Sequence, residues 1–123
     1  MEGYRKVMKA YYLALDLKND PQLIEEYEEY HRKVWPEILQ SIGDSGIQSM
    51  QLFRVENRLF MIMDVIQEFS FDRKEKMDND NIRVQEWEDL MWKYQQAIPN
   101  SKPGEKWRLM NKIFHFNASQ PSS

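Results

Sequence analysis

The residues best suited to chemistry lie in one short segment of the chain. His31 is one of only two histidines, and it follows Tyr27 by four residues and precedes Trp35 by four. On a helix, residues four apart share a face, so these three would form an aromatic strip that contains one titratable group. An imidazole titrates near neutral pH and aromatic rings stack on ligands, so the strip predicts a small-molecule site with His31 as the proton carrier. The same spacing also fits a histidine that only packs, with Tyr27 and Trp35 as core residues.

Composition limits the classes of function. The 123 residues and 15.0 kDa predict one domain. The 17 Lys and Arg against 20 Asp and Glu, without a basic cluster between aromatics, argue against a nucleic-acid partner. Aromatic residues make up 13% of the chain, which is more than a small core needs, so some should line a pocket or an interface.

The lack of cysteine excludes disulfides, thiolate chemistry and sulfur-ligated zinc. The second histidine is His115, and two histidines cannot form an all-histidine metal site within one chain. Asp78–Asn81 groups oxygen ligands but lacks the Gly and Glu of a calcium loop, so we interpret it as a turn and helix cap. We therefore predict no metal and no cofactor. With neither a signal-peptide pattern nor an apolar run of membrane-spanning length, the predicted location is cytoplasmic and the predicted partners include no membrane.

The elements that position His31 follow from caps and periodicity. Asp20 followed by Pro21 predicts a helix start. Pro36 disfavours an α conformation at the residue before it, so the first helix should end there and a second short helix should follow. The pair Glu56-Asn57 between two apolar runs predicts a tight hairpin, because Asn tolerates positive φ. The predicted elements of the first half are a strand over 4–16, helices over 21–35 and 36–43, and strands over 47–55 and 58–66. A helical segment from Ser70 follows; it is interrupted at Asp78–Asn81 and continues to about Ala97 with Ile82 on its apolar side. The last predicted element is a strand from Trp107 to Phe116.

This β-α-(α)-β-β-α-β order predicts a ferredoxin-like α+β sandwich with helices on one face of an antiparallel sheet. The first and third strands are apolar on both sides, so the other sheet face should be covered by a partner. A second copy is the simplest partner, which predicts a homodimer through the sheet face in a dimeric α/β-barrel arrangement. Residues 1–116 form the predicted single domain, and 117–123 form a disordered polar tail.

Five motifs together resemble one known family. They are Tyr27-x-x-x-His31, Val34–Ile38, Gly46 before a strand, Asn57–Phe60 in the hairpin, and Trp87–Tyr94 leading to Ile98-Pro99. Over about residues 4–116 the chain resembles the L-rhamnose mutarotase family. The resemblance implies a dimeric ferredoxin-like enzyme that interconverts the α and β anomers of a 6-deoxy-L-hexose without a cofactor. By position, it implies that His31 is the acid/base residue and that Tyr27 contacts the sugar or assists.

Two departures from the rhamnose pattern concern the sugar. Met50 stands where those members have a tyrosine, and Trp87-Glu88 stands where they have adjacent tryptophans, with Trp92 as a second match after an apparent insertion. The predicted sugar contacts are therefore Tyr27, Trp87, Met50, Trp92 and Trp35. The blocks Leu13–Leu17, Phe69–Lys74 and Pro103–Trp107 are more similar to the branch described as L-fucose mutarotases. We accordingly expect L-fucose, with L-rhamnose as the alternative.

Two other classes of function remain open on the sequence alone. One is a dimeric ferredoxin-like module, for example of monooxygenase type, that binds a different small ligand. The other is a non-catalytic interaction module whose aromatic surface is its contact. We also expect the loop Pro99–Lys106 near the site, because it joins the Trp-bearing helix to the last strand.

Overall fold

The computed structural model describes residues 9–119. Residues 4–8 of the predicted first strand and 120–123 of the predicted tail lie outside this range. In chain order the elements are β1 (Lys9–Leu17), α1 (Pro21–His31), α2 (Pro36–Asp44), β2 (Ile47–Val55), β3 (Arg58–Val65), α3 (Phe71–Asn79), α4 (Ile82–Trp92), β4 (Gln95–Gln96) and β5 (Arg108–Leu109).

The strands form one open antiparallel sheet. Its order is β2-β3-β1-β4, and β5 pairs with the same edge of β1 as an additional short strand. The long central pair places Leu13 opposite Met61 and Leu15 opposite Leu59. This order and the helical connections confirm the predicted ferredoxin-like α+β fold.

Local signals start the first two helices as predicted, but α1 ends one turn before the predicted Trp35. The carboxylate of Asp20 accepts hydrogen bonds from the backbone N–H groups of Gln22 at 2.9 Å and Leu23 at 3.2 Å, and Pro21 is the first helical residue. The first helix ends at His31, and Pro36 begins the second. His31 therefore lies at the C-terminal end of α1.

The core lies between the sheet and the helices. Alternate side chains of β1 and β3 point toward the helices, because successive strand residues face opposite sides of a sheet. Leu17 and Leu59 pack in one cluster with side chains of α1, α2 and α4, and Leu13 and Met61 belong to a second cluster near the start of α3. The first cluster comprises Leu17, Tyr27, Ile38, Leu59, Val84, Trp87, Met91 and Tyr94.

Four described residues have a left-handed backbone, and two of them lie in the turns on either side of β2. In the β2–β3 hairpin the positive φ of 55° lies on Glu56, not on the asparagine as expected. The Asn57 amide instead donates a hydrogen bond to the Leu17 carbonyl at 2.9 Å, which ties the hairpin to β1. Gly46 has a φ of +101°, and a Cβ there would lie 3.1 Å from Cγ1 of Ile66.

The last helix is shorter than predicted. α4 ends at Trp92, because the N–H of Tyr94 bonds back to Met91 and the next two residues pair with β1 instead. Ile82 is 74% exposed, so its place on the apolar side was wrong. As the first residue of α4, it precedes the part of the helix that packs on the sheet.

The prediction of a strand from Trp107 to Phe116 was also wrong for most of its length. Only Arg108 and Leu109 pair with β1, and the N–H of Met110 makes one more bond to the Tyr12 carbonyl at 2.7 Å. Beyond this point the chain extends without a strand partner among the described residues. Its apolar side chains are exposed, with Ile113 at 95%, Phe114 at 79% and Phe116 at 75%.

The sheet face opposite the helices is apolar and uncovered in the single chain. Tyr12 on β1 and Phe53 on β2 both contact Phe60 on β3, with ring centroids 6.2 and 6.3 Å apart. Tyr12 is 40% exposed and Phe53 is 50% exposed. The predicted apolar character of both strand faces is thus confirmed. Within residues 9–119, no helix combines the length and apolar character that crossing a membrane demands.

Candidate active site

A cavity of about 1400 Å³ opens between the helix-bearing face of the sheet and the helices. Typical small-molecule pockets measure about 300–1,000 Å³, so this one can hold a monosaccharide together with water. Tyr27 and His31 of α1, Trp87 of α4 and Met50 of β2 all line it. The structure therefore brings four of the predicted site residues together.

The hydrogen bond of His31 determines its tautomer. Nδ1 lies 2.8 Å from the backbone carbonyl oxygen of Tyr27. A carbonyl can only accept, so Nδ1 donates and carries the proton, which leaves Nε2 with a free lone pair in the neutral ring. His31 therefore has a proton acceptor at a wall of the cavity.

Burial among aromatic rings keeps this imidazole neutral. The ring of His31 lies 4.4 Å from that of Tyr27 and 5.7 Å from that of Trp87, measured between centroids. Burial lowers the pKa of His31 from 6.5, and the hydrogen bond to the Tyr27 carbonyl opposes that change. At neutral pH the group is a base ready to accept a proton.

Tyr27 is nearly fully buried, and its hydroxyl has a polar partner. The side-chain amide of Gln95 donates to the Tyr27 oxygen at 3.3 Å, while burial raises the pKa of Tyr27 to about 12. The phenol thus stays protonated and can donate but not act as a base at neutral pH. Gln95 was missed in the sequence, because nothing in its neighbours marks a residue 68 positions away as the partner of Tyr27.

The other two predicted contacts lie outside the cavity lining. Trp35 packs edge-on against Trp87 with centroids 5.0 Å apart, and the guanidinium carbon of Arg83 lies 4.1 Å from the Trp35 ring centroid. Trp92 is 37% exposed and lies under the ammonium of Lys106, 5.0 Å from the ring centroid. Trp35 can therefore orient Trp87, whereas Trp92 forms part of the outer surface.

Charged side chains line another part of the same cavity, and the sequence reasoning did not select them. Lys74 donates to Asp78 at 2.6 Å on α3, and Glu88 of α4 and Lys106 are also among the charged residues of the lining. The expected proximity of the Pro99–Lys106 loop holds for its end, since Glu105 and Lys106 line the cavity. Helical periodicity could have revealed Glu88, which lies four residues after Val84 and three before Met91. Among residues 9–119 there is no group of three or more acidic, His or Cys side chains that could hold a metal ion.

The fold and the cavity define a ferredoxin-like α+β protein with a histidine-lined cavity between sheet and helices. The family model described as L-rhamnose mutarotase matches residues 10–116. The chain belongs to this family and is a sugar mutarotase, an isomerase that acts on carbohydrate anomers. This membership confirms the resemblance seen in the sequence and favours it over the two other classes that the sequence left open.

Individual relatives agree with this assignment. A protein of Xanthomonas campestris pv. campestris named L-fucose mutarotase is 44% identical over 103 residues, which are 82% of each chain. The crystal structure of L-rhamnose mutarotase from Formosa agariphila matches with a TM-score of 0.65 at 21% identity, covering 89% of this chain and 100% of that one. A structure described as a dimeric ferredoxin-like protein from an uncultured marine organism matches with a TM-score of 0.52 at 13% identity, covering 88% and 91%. The two structural matches support the fold.

Proposed function

We propose that this protein interconverts the α and β anomers of a 6-deoxy-L-hexose, with L-fucose as the preferred sugar and His31 as the acid/base residue. The observation that supports the mechanism is the Nδ1–H bond of His31 to the Tyr27 carbonyl. It leaves Nε2 as the free nitrogen of a ring that lines the cavity. A positioned base of this kind contributes about 10²–10⁴-fold in rate, which is ample for a reaction that already proceeds slowly in water.

The proposed reaction needs one proton removed and one proton delivered. Nε2 of His31 takes the proton of the anomeric hydroxyl, the bond between C1 and the ring oxygen breaks, and the ring oxygen receives a proton from water in the cavity. The open aldehyde turns about its C1–C2 bond. Attack of the C5 hydroxyl, which carries the former ring oxygen, on the other face of the carbonyl closes the ring. Its proton returns to the hydroxide left by the water, and the imidazolium returns its proton to the carbonyl oxygen. Protons and electrons balance, and no oxidant or cofactor takes part.

In this proposal the aromatic residues hold the sugar over the base. Trp87 offers a ring near His31 on which the apolar C–H face of a pyranose can stack. Met50 and Leu52 of β2 line the cavity and offer an apolar surface to the methyl group of a deoxy sugar. Tyr27 packs against the imidazole and can donate its hydroxyl proton. We assign Trp35 a supporting role behind Trp87, and we assign Trp92 no contact.

The preference for L-fucose rests on the 44% identical relative that carries this name. L-rhamnose is the second candidate, because the matching family model is described by that sugar. Magnetization-transfer NMR on L-fucose, L-rhamnose and D-hexoses, side by side with one protein sample, tests the ranking. Faster exchange on L-rhamnose than on L-fucose would reverse it, and exchange on neither sugar would contradict the proposed function.

We further propose that the protein is a homodimer that pairs through the uncovered sheet face. Tyr12, Phe53 and Val55 of that face are 40%, 50% and 69% exposed, which is unusual for large apolar groups that share one sheet face. The apolar segment after Leu109 adds exposed surface that a second copy could bury. A structural relative described as dimeric is consistent with this arrangement.

Light scattering on matched variants tests the dimer. The parent protein should have twice the 15.0 kDa mass of one chain at micromolar concentration. Phe53→Glu places a charge on the sheet face and should shift the protein to monomer. Ile82→Glu places the same charge on a residue that is 74% exposed elsewhere, and it should remain dimeric. A parent protein that is a stable monomer would contradict the proposal.

We also propose a cytoplasmic site of action, motivated by the cysteine-free composition. Subcellular fractionation with an antibody tests it, and recovery in an extracellular or membrane fraction would contradict it.

A further inference from the structure

Glu88 is a carboxylate on the inward-facing side of α4. Val84, Trp87 and Met91 share this side, and all three are buried. Glu88 lies between them in the helical repeat, is half-buried and lines the same cavity as His31. Placing a carboxylate among apolar residues costs free energy, because its hydration is reduced. The carboxylate oxygens are not fully buried, so they face the open cavity and can exchange water for a ligand there.

The chain itself offers Glu88 no direct partner. Among residues 9–119 its carboxylate makes no hydrogen bond and no ion pair. Lys74 is engaged with Asp78 at 2.6 Å. Lys106 is near enough to attract the carboxylate electrostatically, although burial is the larger effect and raises the pKa of Glu88. The acceptor oxygens of Glu88 are therefore free to bind a group that enters the cavity.

We propose that Glu88 is a sugar-binding residue that accepts hydrogen bonds from ring hydroxyls remote from the anomeric carbon, with Lys106 as its neighbouring countercharge. The inference rests on the proposed function, because it takes a 6-deoxyhexose in this cavity as the ligand. It adds a residue that determines which sugar is bound, separate from the residue that moves the proton.

The position of Trp87 supports this division of roles. The ring of Trp87 lies 5.7 Å from that of His31, and the backbone of Glu88 follows Trp87 directly, about 3.8 Å away between Cα atoms. In a pyranose, C1 and C4 lie at opposite ends of the ring. A sugar stacked on Trp87 with C1 at His31 can direct its far hydroxyls toward Glu88. Because epimers differ in the direction of these hydroxyls, a fixed acceptor here binds one configuration better than another.

The test compares Glu88→Gln with Asp89→Asn, which removes the same charge from an exposed neighbour on the same helix. Anomer exchange is measured by NMR for L-fucose and for analogues that lack the 3- or the 4-hydroxyl. Loss of one charge-assisted hydrogen bond should raise KM of Glu88→Gln for L-fucose about 10-fold or more, with kcat within about 2-fold. Asp89→Asn should resemble the parent. For the analogue that lacks the bound hydroxyl, Glu88→Gln and the parent should have the same KM.

Three results would overturn the inference. The first is an unchanged KM for Glu88→Gln. The second is a fall in kcat alone with loss of one limb of the pH profile, which would assign proton transfer to Glu88. The third is an equal effect of the variant on every analogue, which would mean that Glu88 has a structural role. Direct titration of L-fucose by ligand-observed NMR separates this inference from the mechanism. A parent that binds L-fucose without exchanging its anomers contradicts the proposed function, and the loss of affinity in Glu88→Gln still tests the binding role.

Discussion

Replacement of His31 by Asn tests the mechanism most directly. Asn keeps an amide N–H that can donate to the Tyr27 carbonyl, which accepts from Nδ1 at 2.8 Å in the parent. It removes the free Nε2 and all titration near neutral pH. Catalysed exchange on the preferred sugar should fall by roughly 10²-fold or more, the usual scale for the loss of a general base. Each factor of ten is about 1.4 kcal/mol, so the barrier should rise by about 3 kcal/mol.

The fold should survive this change. His31 is only half-buried at the end of α1, and its ring contacts are those to Tyr27 and Trp87 at 4.4 and 5.7 Å. Aromatic pairs contribute about 0.5–1.5 kcal/mol each, so the loss of both should lower the free energy of unfolding by about 1–3 kcal/mol. Circular dichroism, urea unfolding and light scattering check that the variant is folded and associates as the parent does.

His115→Asn is the matched control, because it replaces the only other histidine, which is exposed in the C-terminal segment. It should exchange anomers at the parent rate. The assay is magnetization transfer between the two anomeric protons at equilibrium, with the uncatalysed rate subtracted. A folded His31→Asn protein that still exchanges anomers at the parent rate would refute the reasoning and make His31 a packing residue.

Three further predictions concern the surroundings of His31 and the fold. Tyr27→Phe should reduce the rate of anomer exchange measured by NMR by less than His31→Asn does, within about 10-fold. It should also lower the urea midpoint, because the buried Gln95 amide loses its acceptor at a cost of about 1–3 kcal/mol. An unchanged midpoint would contradict the contact between Gln95 and Tyr27. The lowered pKa of His31 means that the folded protein binds a proton on this imidazole more weakly than the unfolded chain, whose pKa is near 6.5. The free energy of unfolding should therefore fall as pH drops below about 6.5 and level off below the folded-state pKa. The unfolding free energy of His31→Asn, measured over the same pH range, should lack this contribution. The kcat/KM of the parent protein should decline only on the acid side. Gly46→Ala should destabilise the protein by about 1–3 kcal/mol in urea unfolding, because the φ of Gly46 is +101° and the new Cβ would lie 3.1 Å from Ile66. A urea midpoint equal to that of the parent would count against this strain.

Signals within a few residues of one another were sufficient to predict most of the secondary structure. Asp20 and Pro21 begin α1 because they satisfy and fix its first turn, and Pro36 separates α1 from α2. The shared face of Tyr27 and His31 was also predictable, because residues four apart share a helical face. The inclusion of Trp35 in this strip was wrong, because Trp35 lies beyond the end of α1. These features depend on backbone geometry and short-range hydrogen bonds, which the local sequence determines.

The ends of elements depended on longer-range pairing. The alternation after Trp107 is typical of a strand, yet only Arg108, Leu109 and the N–H of Met110 find a partner on β1. The apolar residues beyond them are exposed in the single chain, so their alternation did not produce a strand within this sheet. The end of α4 was likewise decided by competition, since Gln95 and Gln96 bond to β1 instead of continuing the helix.

The sequence by itself determined the order of the elements, the inward face of α1 and the presence of a single histidine among aromatic residues. Only the tertiary structure decided which distant groups meet that histidine: Gln95 against Tyr27, Trp87 against the imidazole, and Glu88 in the same cavity. The physical reason is that capping and periodicity act over one or two turns of chain. The protonation state of His31 and the lining of the cavity arise from burial and from contacts between residues tens of positions apart, which exist only when the helices pack on the sheet.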